Sequence, residues 1–127
     1  MIRSLLLIAL AASLHGNAQA ASKVVCHVTY GGAAQRIEAQ PVASPYKVPV
    51  VEIGSYFLFR IVLQTAPREL AAAKIYTYAD QEDSPVIIHQ ASHPWPAANR
   101  RQYGFTGLQR VYEPMRDGEL EYWCEAR

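Results

Sequence analysis

The sequence predicts an all-β fold, a single small antiparallel sandwich of about seven strands closed by one disulfide, with a small β-barrel as the alternative. Three observations predict it. Apolar and polar residues alternate with a period of two near both ends of the chain. Short runs rich in Val, Ile, Tyr and Phe recur between clusters of Gly, Pro, Asp and Asn. After the leader, Arg68 to Lys74 has the composition of a helical turn, and it is too short to hold a helix alone.

The first twenty residues read as an export signal and stand outside the fold. Arg3 precedes the apolar run Leu5 to Ala12, and Ala18-Gln19-Ala20 supplies the small residues after which a signal peptidase cuts. The run is well short of the roughly 20 residues that cross a bilayer. Ala21 stands where a lipid-attached protein would carry cysteine. The expected product is one periplasmic or secreted β domain, residues 21–127, with no membrane anchor after cleavage.

The first strand is expected over residues 24–30, with Val24, Cys26, Val28 and Tyr30 on one face and Val25, His27 and Thr29 on the other. Gly31-Gly32 suits a two-residue hairpin turn, which needs positive φ, and leads to a second strand near Gln35 to Ala39. Pro41, Pro45 and Pro49 lack an N–H and mark residues 40–49 as an edge or a connection. Tyr56 to Gln64 is the strongest strand. Phe57, Phe59, Ile61 and Leu63 share one face, and Tyr56, Leu58 and Val62 make the other apolar except for Arg60, the pattern of a central strand.

Arg68 to Lys74 then reads as a turn. A strand over Ala73 to Ala79, the loop Asp80 to Pro85 and a strand over Val86 to Gln90 make a hairpin. A last pair, Leu108 to Glu113 and Glu119 to Glu125, is joined by Pro114 to Gly118, whose Asp-Gly step suits a tight turn. In the final strand Leu120, Tyr122 and Cys124 oppose Glu119, Glu121, Trp123 and Glu125, a face read as a charged exterior that keeps the strand from pairing with other molecules, with presentation of Trp123 to a partner as the alternative.

Both cysteines fall on apolar faces of the first and last strands, so one Cys26–Cys124 bridge is expected in an oxidising compartment. No Cys-x-x-Cys or third soft ligand argues for redox or metal use. Tyr122-Trp123-Cys124 resembles the Tyr-x-Cys of the tyrosine corner in immunoglobulin domains. That family's strand-C tryptophan has no counterpart after Cys26, and only three residues follow Cys124. The resemblance therefore implies a two-sheet architecture and brings no binding residues with it.

Composition narrows the function classes. Without Arg3 the basic and acidic residues balance, so nucleic acid is not an expected partner. There is no Gly-x-Ser-x-Gly elbow and no phosphate-binding glycine loop, and no catalytic residue or cofactor is expected. Ser92 beside His93 on extended chain points the other way. The acidic loop Asp80-Gln81-Glu82-Asp83 lacks the spacing of a calcium site.

Residues 91–107 break the rhythm of short turns. They carry Trp95, Tyr103 and Phe105 as apolar anchors, Arg100 and Arg101 for carboxylate or phosphate, and Pro94 and Pro96 to stiffen the chain around Trp95. Two readings stand: a binding loop, or a cover folded over an open end of the sandwich. His27, His89 and His93 are the metal-ligand candidates, although four residues of strand separate His89 from His93 by roughly 13 Å. The expected function is that of a non-enzymatic binding or accessory module recognising a protein or envelope component. The alternatives are a periplasmic copper- or zinc-handling domain and, third, a small hydrolase.

Overall fold

Eight strands, arranged as two antiparallel sheets of four, form the sandwich in the computed structural model, which describes residue 16, residues 20–100 and residues 102–127. The expected export signal falls almost wholly outside the described residues. In chain order the strands are β1 (Val24–Tyr30), β2 (Ala33–Ala39), β3 (Val51–Ile53), β4 (Phe57–Gln64), β5 (Ala72–Ala79), β6 (Val86–Pro94), β7 (Gln109–Glu113) and β8 (Gly118–Ala126). One sheet runs β2-β1-β8-β7 and the other β3-β4-β5-β6. The chain thus makes one hairpin, crosses to the second sheet for a four-strand meander, and returns for a last hairpin whose β8 lies beside β1.

The two inner faces are those the alternation marks. Val24, Cys26 and Val28 of β1 and Leu120, Tyr122 and Cys124 of β8 meet Phe57, Phe59, Ile61 and Leu63 of β4 and Ala73 and Ile75 of β5. On β4 the outward Leu58 and Val62 are buried as well, and Arg60 lies across the ring of Tyr76 at 4.7 Å, covering that part of the outer face.

Two elements depart from the expectation. β3 adds a strand, three residues paired with Phe57–Phe59 and too short to show a period in the sequence. The strand expected to end at Gln90 continues to Pro94, pairing Ala91, Ser92, His93 and Pro94 with Ile75, Lys74, Ala73 and Ala72. The 91–107 connection is therefore four residues shorter than expected. Small and polar residues hid the alternation, because an edge strand with one half-buried face has little apolar area to display. The helical composition of Arg68 to Lys74 produces a single 3-10 turn at Arg68–Leu70.

The disulfide joins Cys26 and Cys124, which face each other across β1 and β8 with a Cα–Cα distance of 4.0 Å. That is the close approach of a pair that exchanges no backbone hydrogen bonds. In immunoglobulin domains the bridge ties one sheet to the other and the tyrosine hydroxyl bonds to backbone. Here the bridge lies within one sheet, and Tyr122 instead shares a 2.6 Å hydrogen bond with His89 Nε2 on β6 of the other sheet. Its buried phenol is held well above the usual range by desolvation.

A second tie between the sheets sits at the β7–β8 turn. Glu113 is buried, yet its carboxylate accepts the backbone N–H of Met115 at 3.0 Å and of Arg116 at 3.1 Å, and pairs with Arg116 Nε at 3.2 Å. Arg116 goes on to donate to the Asp80 carbonyl at 3.1 Å and lies 4.2 Å over the Tyr56 ring. One carboxylate thus shapes the turn and aims a guanidinium at the opposite sheet.

Candidate functional site

β7 ends its pairing with β8 at Tyr122, so the next backbone groups on that side of β8, those of Cys124 and Ala126, have no strand to meet. The connection after β6 meets them. Phe105 N–H donates to the Cys124 carbonyl at 2.9 Å, and Cys124 N–H donates to Thr106 Oγ1 at 2.9 Å. Asn99 completes the edge with both ends of its amide: Nδ2 donates to the Ala126 carbonyl and Oδ1 accepts Ala126 N–H, each at 2.8 Å. Side chains and loop backbone stand in for a missing strand.

This arrangement divides the five residues expected to make contacts. Phe105 is only 8% exposed and packs edge-on against His93 and Trp95, so it belongs to the core. Trp95 is half-buried against the same cluster, with its backbone N–H donating to the Ala71 carbonyl at 3.1 Å. Arg101 lies outside the described residues. Arg100 and Tyr103 face solvent, Tyr103 with 37% of its surface accessible.

Tyr103 is held there by an unusual backbone. Its φ is +60°, a region that side chains other than glycine seldom enter, and Gly104 follows with the same value. At Gly104 the reason is local: a Cβ would lie 2.0 Å from the Cys124 carbonyl oxygen. The paired left-handed residues reverse the chain over β8 and set the Tyr103 ring 6.0 Å from that of Trp123.

Trp123 in turn stacks on His27, its register partner on β1, with centroids 4.0 Å apart. The result is a three-ring corner on the outer face of the β2-β1-β8-β7 sheet. Shallow hollows of about 160 Å³ and 320 Å³ flank Tyr103, the second bounded by Arg100, Glu125 and Arg127. Glu125 approaches both Arg127 and, at 3.4 Å, His27 Nε2, while Arg110 pairs with Glu121 at 2.9 Å beside the corner. Aromatic faces rimmed by alternating charges suit contact with a partially polar surface.

The three histidines do not come together. His27 is on that outer face, whereas His89 and His93 sit half-buried on the inward side of β6, opposite Thr77 and Ala73. Burial lowers the pKa of both, and His89 is further lowered by the charge His93 would carry. Among the described residues no three His, Cys, Asp or Glu side chains are grouped so as to hold a metal ion.

Trp123 was legible as an outward residue of the last strand. Its partnership with Tyr103 was not, because a left-handed tyrosine leaves no mark in the sequence. Comparison with protein-family models, with curated proteins and with solved structures finds no match.

Proposed function

We propose that the chain is an exported, non-enzymatic binding module for a protein or envelope component, and that its contact surface is the corner formed by Tyr103, Trp123 and His27 with Arg100 at the rim. The observation that carries this reading is Tyr103 itself. A bulky, solvent-facing residue sits at φ +60° beside a tryptophan, where glycine would be the less strained choice. Strain kept at an exposed aromatic is the pattern expected where contact, not folding, selects the residue. Export is supported by the signal-like leader and the intramolecular disulfide, and among the described residues no helix is long and apolar enough to cross a membrane.

The test compares mature wild-type protein with Tyr103→Gly and Trp123→Ala as baits on an envelope fraction. Tyr103→Gly is expected to keep or raise stability, by up to about 1 kcal/mol, because glycine accepts the backbone angle freely. Partner capture per folded molecule is expected to fall tenfold or more, the ~1.4 kcal/mol minimum of a useful anchor. Unchanged capture by both variants removes the corner as the contact surface. A loss of stability in Tyr103→Gly assigns the ring a structural role instead.

A further inference from the structure

On the side of the sandwich where β2 and β4 approach each other lies a cavity of about 500 Å³ that shares no residue with the aromatic corner. It exists because a stretch of sheet is missing. β3 pairs only with Phe57–Phe59, and Pro41 bridges Leu63, with Val42 N–H donating to the Leu63 carbonyl at 2.9 Å, so residues 60–62 meet no strand on that side. The chain between these two contacts carries Pro45 and Pro49, which have no N–H to continue a ladder. It turns instead through a 3-10 segment at Pro45–Lys47 and arches over the gap.

The walls are apolar: Ile37 and Ala39 from β2, Val42 from the arch, Val51 from β3, Phe59 and Ile61 from β4. Three charged residues, Glu38, Lys47 and Arg60, also border the space. Glu38 is already met by Lys23 at 3.3 Å and Arg36 at 2.9 Å. Lys47 has no carboxylate partner among the described residues, whereas the Arg60 guanidinium is turned to the outer face of the sheet, 4.7 Å over the Tyr76 ring. The unpaired charge at the rim of the apolar space is therefore the Lys47 ammonium.

We infer that this cavity binds a single-chain anionic amphiphile, its tail among the apolar walls and its carboxylate or phosphate head at the mouth beside Lys47. The volume lies within the roughly 300 to 1,000 Å³ of small-molecule sites, and an apolar lining with few polar groups is their usual chemistry. An ammonium at the rim suits a compact anionic head, which it meets as a point charge. This site is independent of the corner proposed above, since neither depends on a residue of the other.

The experiment titrates mature protein by calorimetry with hexanoate, octanoate and decanoate, all below their micelle concentrations. Affinity should rise about fourfold per added methylene, the ~0.8 kcal/mol of one buried CH₂, until the tail fills the cavity. Decyl phosphate and decanoate are run side by side to separate the two head groups, and saturable binding of either supports the site. Decan-1-ol and decyltrimethylammonium should bind at least tenfold more weakly than the better anion. Lys47→Glu, at an exposed position, should weaken the anion tenfold or more and leave the alcohol unchanged. Val42→Trp should block every tail; should that variant not fold, Lys47→Glu and the chain-length series still decide. Binding of neither anion, affinity independent of chain length, or a cation binding as tightly as the anions overturns the inference.

Discussion

Gly104→Ala tests whether the 95–107 connection holds β8 in place. Two costs add at this position. Alanine at φ +60° is penalised by about 1 to 2 kcal/mol. The new Cβ would also sit 2.0 Å from the Cys124 carbonyl oxygen, and because that atom is strand backbone tied to β1, the loop has to move by about an ångström or more. Such a shift breaks the Phe105 N–H and Thr106 Oγ1 bonds to Cys124, both 2.9 Å, and strands buried backbone groups at about 1 kcal/mol or more each. The expected loss is about 3 to 5 kcal/mol.

Gly107→Ala is the control, since Gly107 has φ +71° and an added methyl there would meet nothing within 4 Å, so only the conformational cost of about 1 to 2 kcal/mol applies. Urea unfolding followed by tryptophan fluorescence measures both variants on one scale. If their unfolding free energies differ by less than about 0.5 kcal/mol, the loop is not a surrogate strand and its hydrogen bonds to β8 contribute nothing beyond what water supplies.

Three further outcomes are expected. Glu113→Gln should cost about 2 to 4 kcal/mol in the same unfolding assay, because the buried carboxylate accepts three N–H groups and a neutral amide pairs poorly with Arg116; a loss within experimental error refutes the clamp. Thiol titration of the unfolded, unreduced protein should find no free sulfhydryl, and reduction should lower stability by about 2 to 5 kcal/mol, given a sequence separation of 98 between the cysteines; two reactive thiols exclude the bridge. The folded-state pKa values of His89 and His93 are both depressed, so the unfolded chain binds protons first and stability should be full above pH 6.5, declining as pH falls towards their folded values. Thermal melts from pH 8 to 5 measure this decline, and a His89→Gln, His93→Gln double variant should flatten it; an equally steep decline in the variant refutes the assignment.

Legibility followed burial. β1, β4, β5 and β8 are interior strands with at least one largely buried face; alternation located β1, β5 and β8, and a run apolar on both faces located β4, each to within a residue or so. β3 and the second half of β6 lie at sheet edges, where short length and half-exposed Ala, Ser and His leave no periodic signal. The pairing of the cysteines was readable from their even number and their places on the apolar faces of the first and last strands. That they occupy adjacent strands of one sheet was not, because alternation fixes which face a residue takes and not which strand lies next to it. Phe105 looked like a contact residue by type alone. It is buried because Phe105 N–H must reach the Cys124 carbonyl, a demand set by the early end of β7. The cavity beneath Pro45 and Pro49 was marked only as chain unable to pair, and a sequence does not say whether side chains fill the space behind such a segment.

A two-sheet sandwich has two open sides where sheet edges approach each other, and this chain treats them by opposite means. Between β6 and β7 the gap is bridged by polar groups: His89 reaches Tyr122 across the sheets, and Asn99 and Thr106 bond to β8 as a strand would. Between β2 and β3 the crossing segment is rich in proline, so it spans the gap without adding a ladder and leaves apolar walls exposed to an interior space. The first solution ties the connection down by hydrogen bonds, and the strained Tyr103 persists because the surrounding bonds over-determine its position. The second yields room. Since the two sides share no hydrogen bond or lining residue, perturbations on one should leave the other unaffected, and their stability effects should add to within about 0.5 kcal/mol. Combining Gly104→Ala with Lys47→Glu examines that independence directly: a clear departure from additivity would mean that the sheets transmit strain from one side to the other.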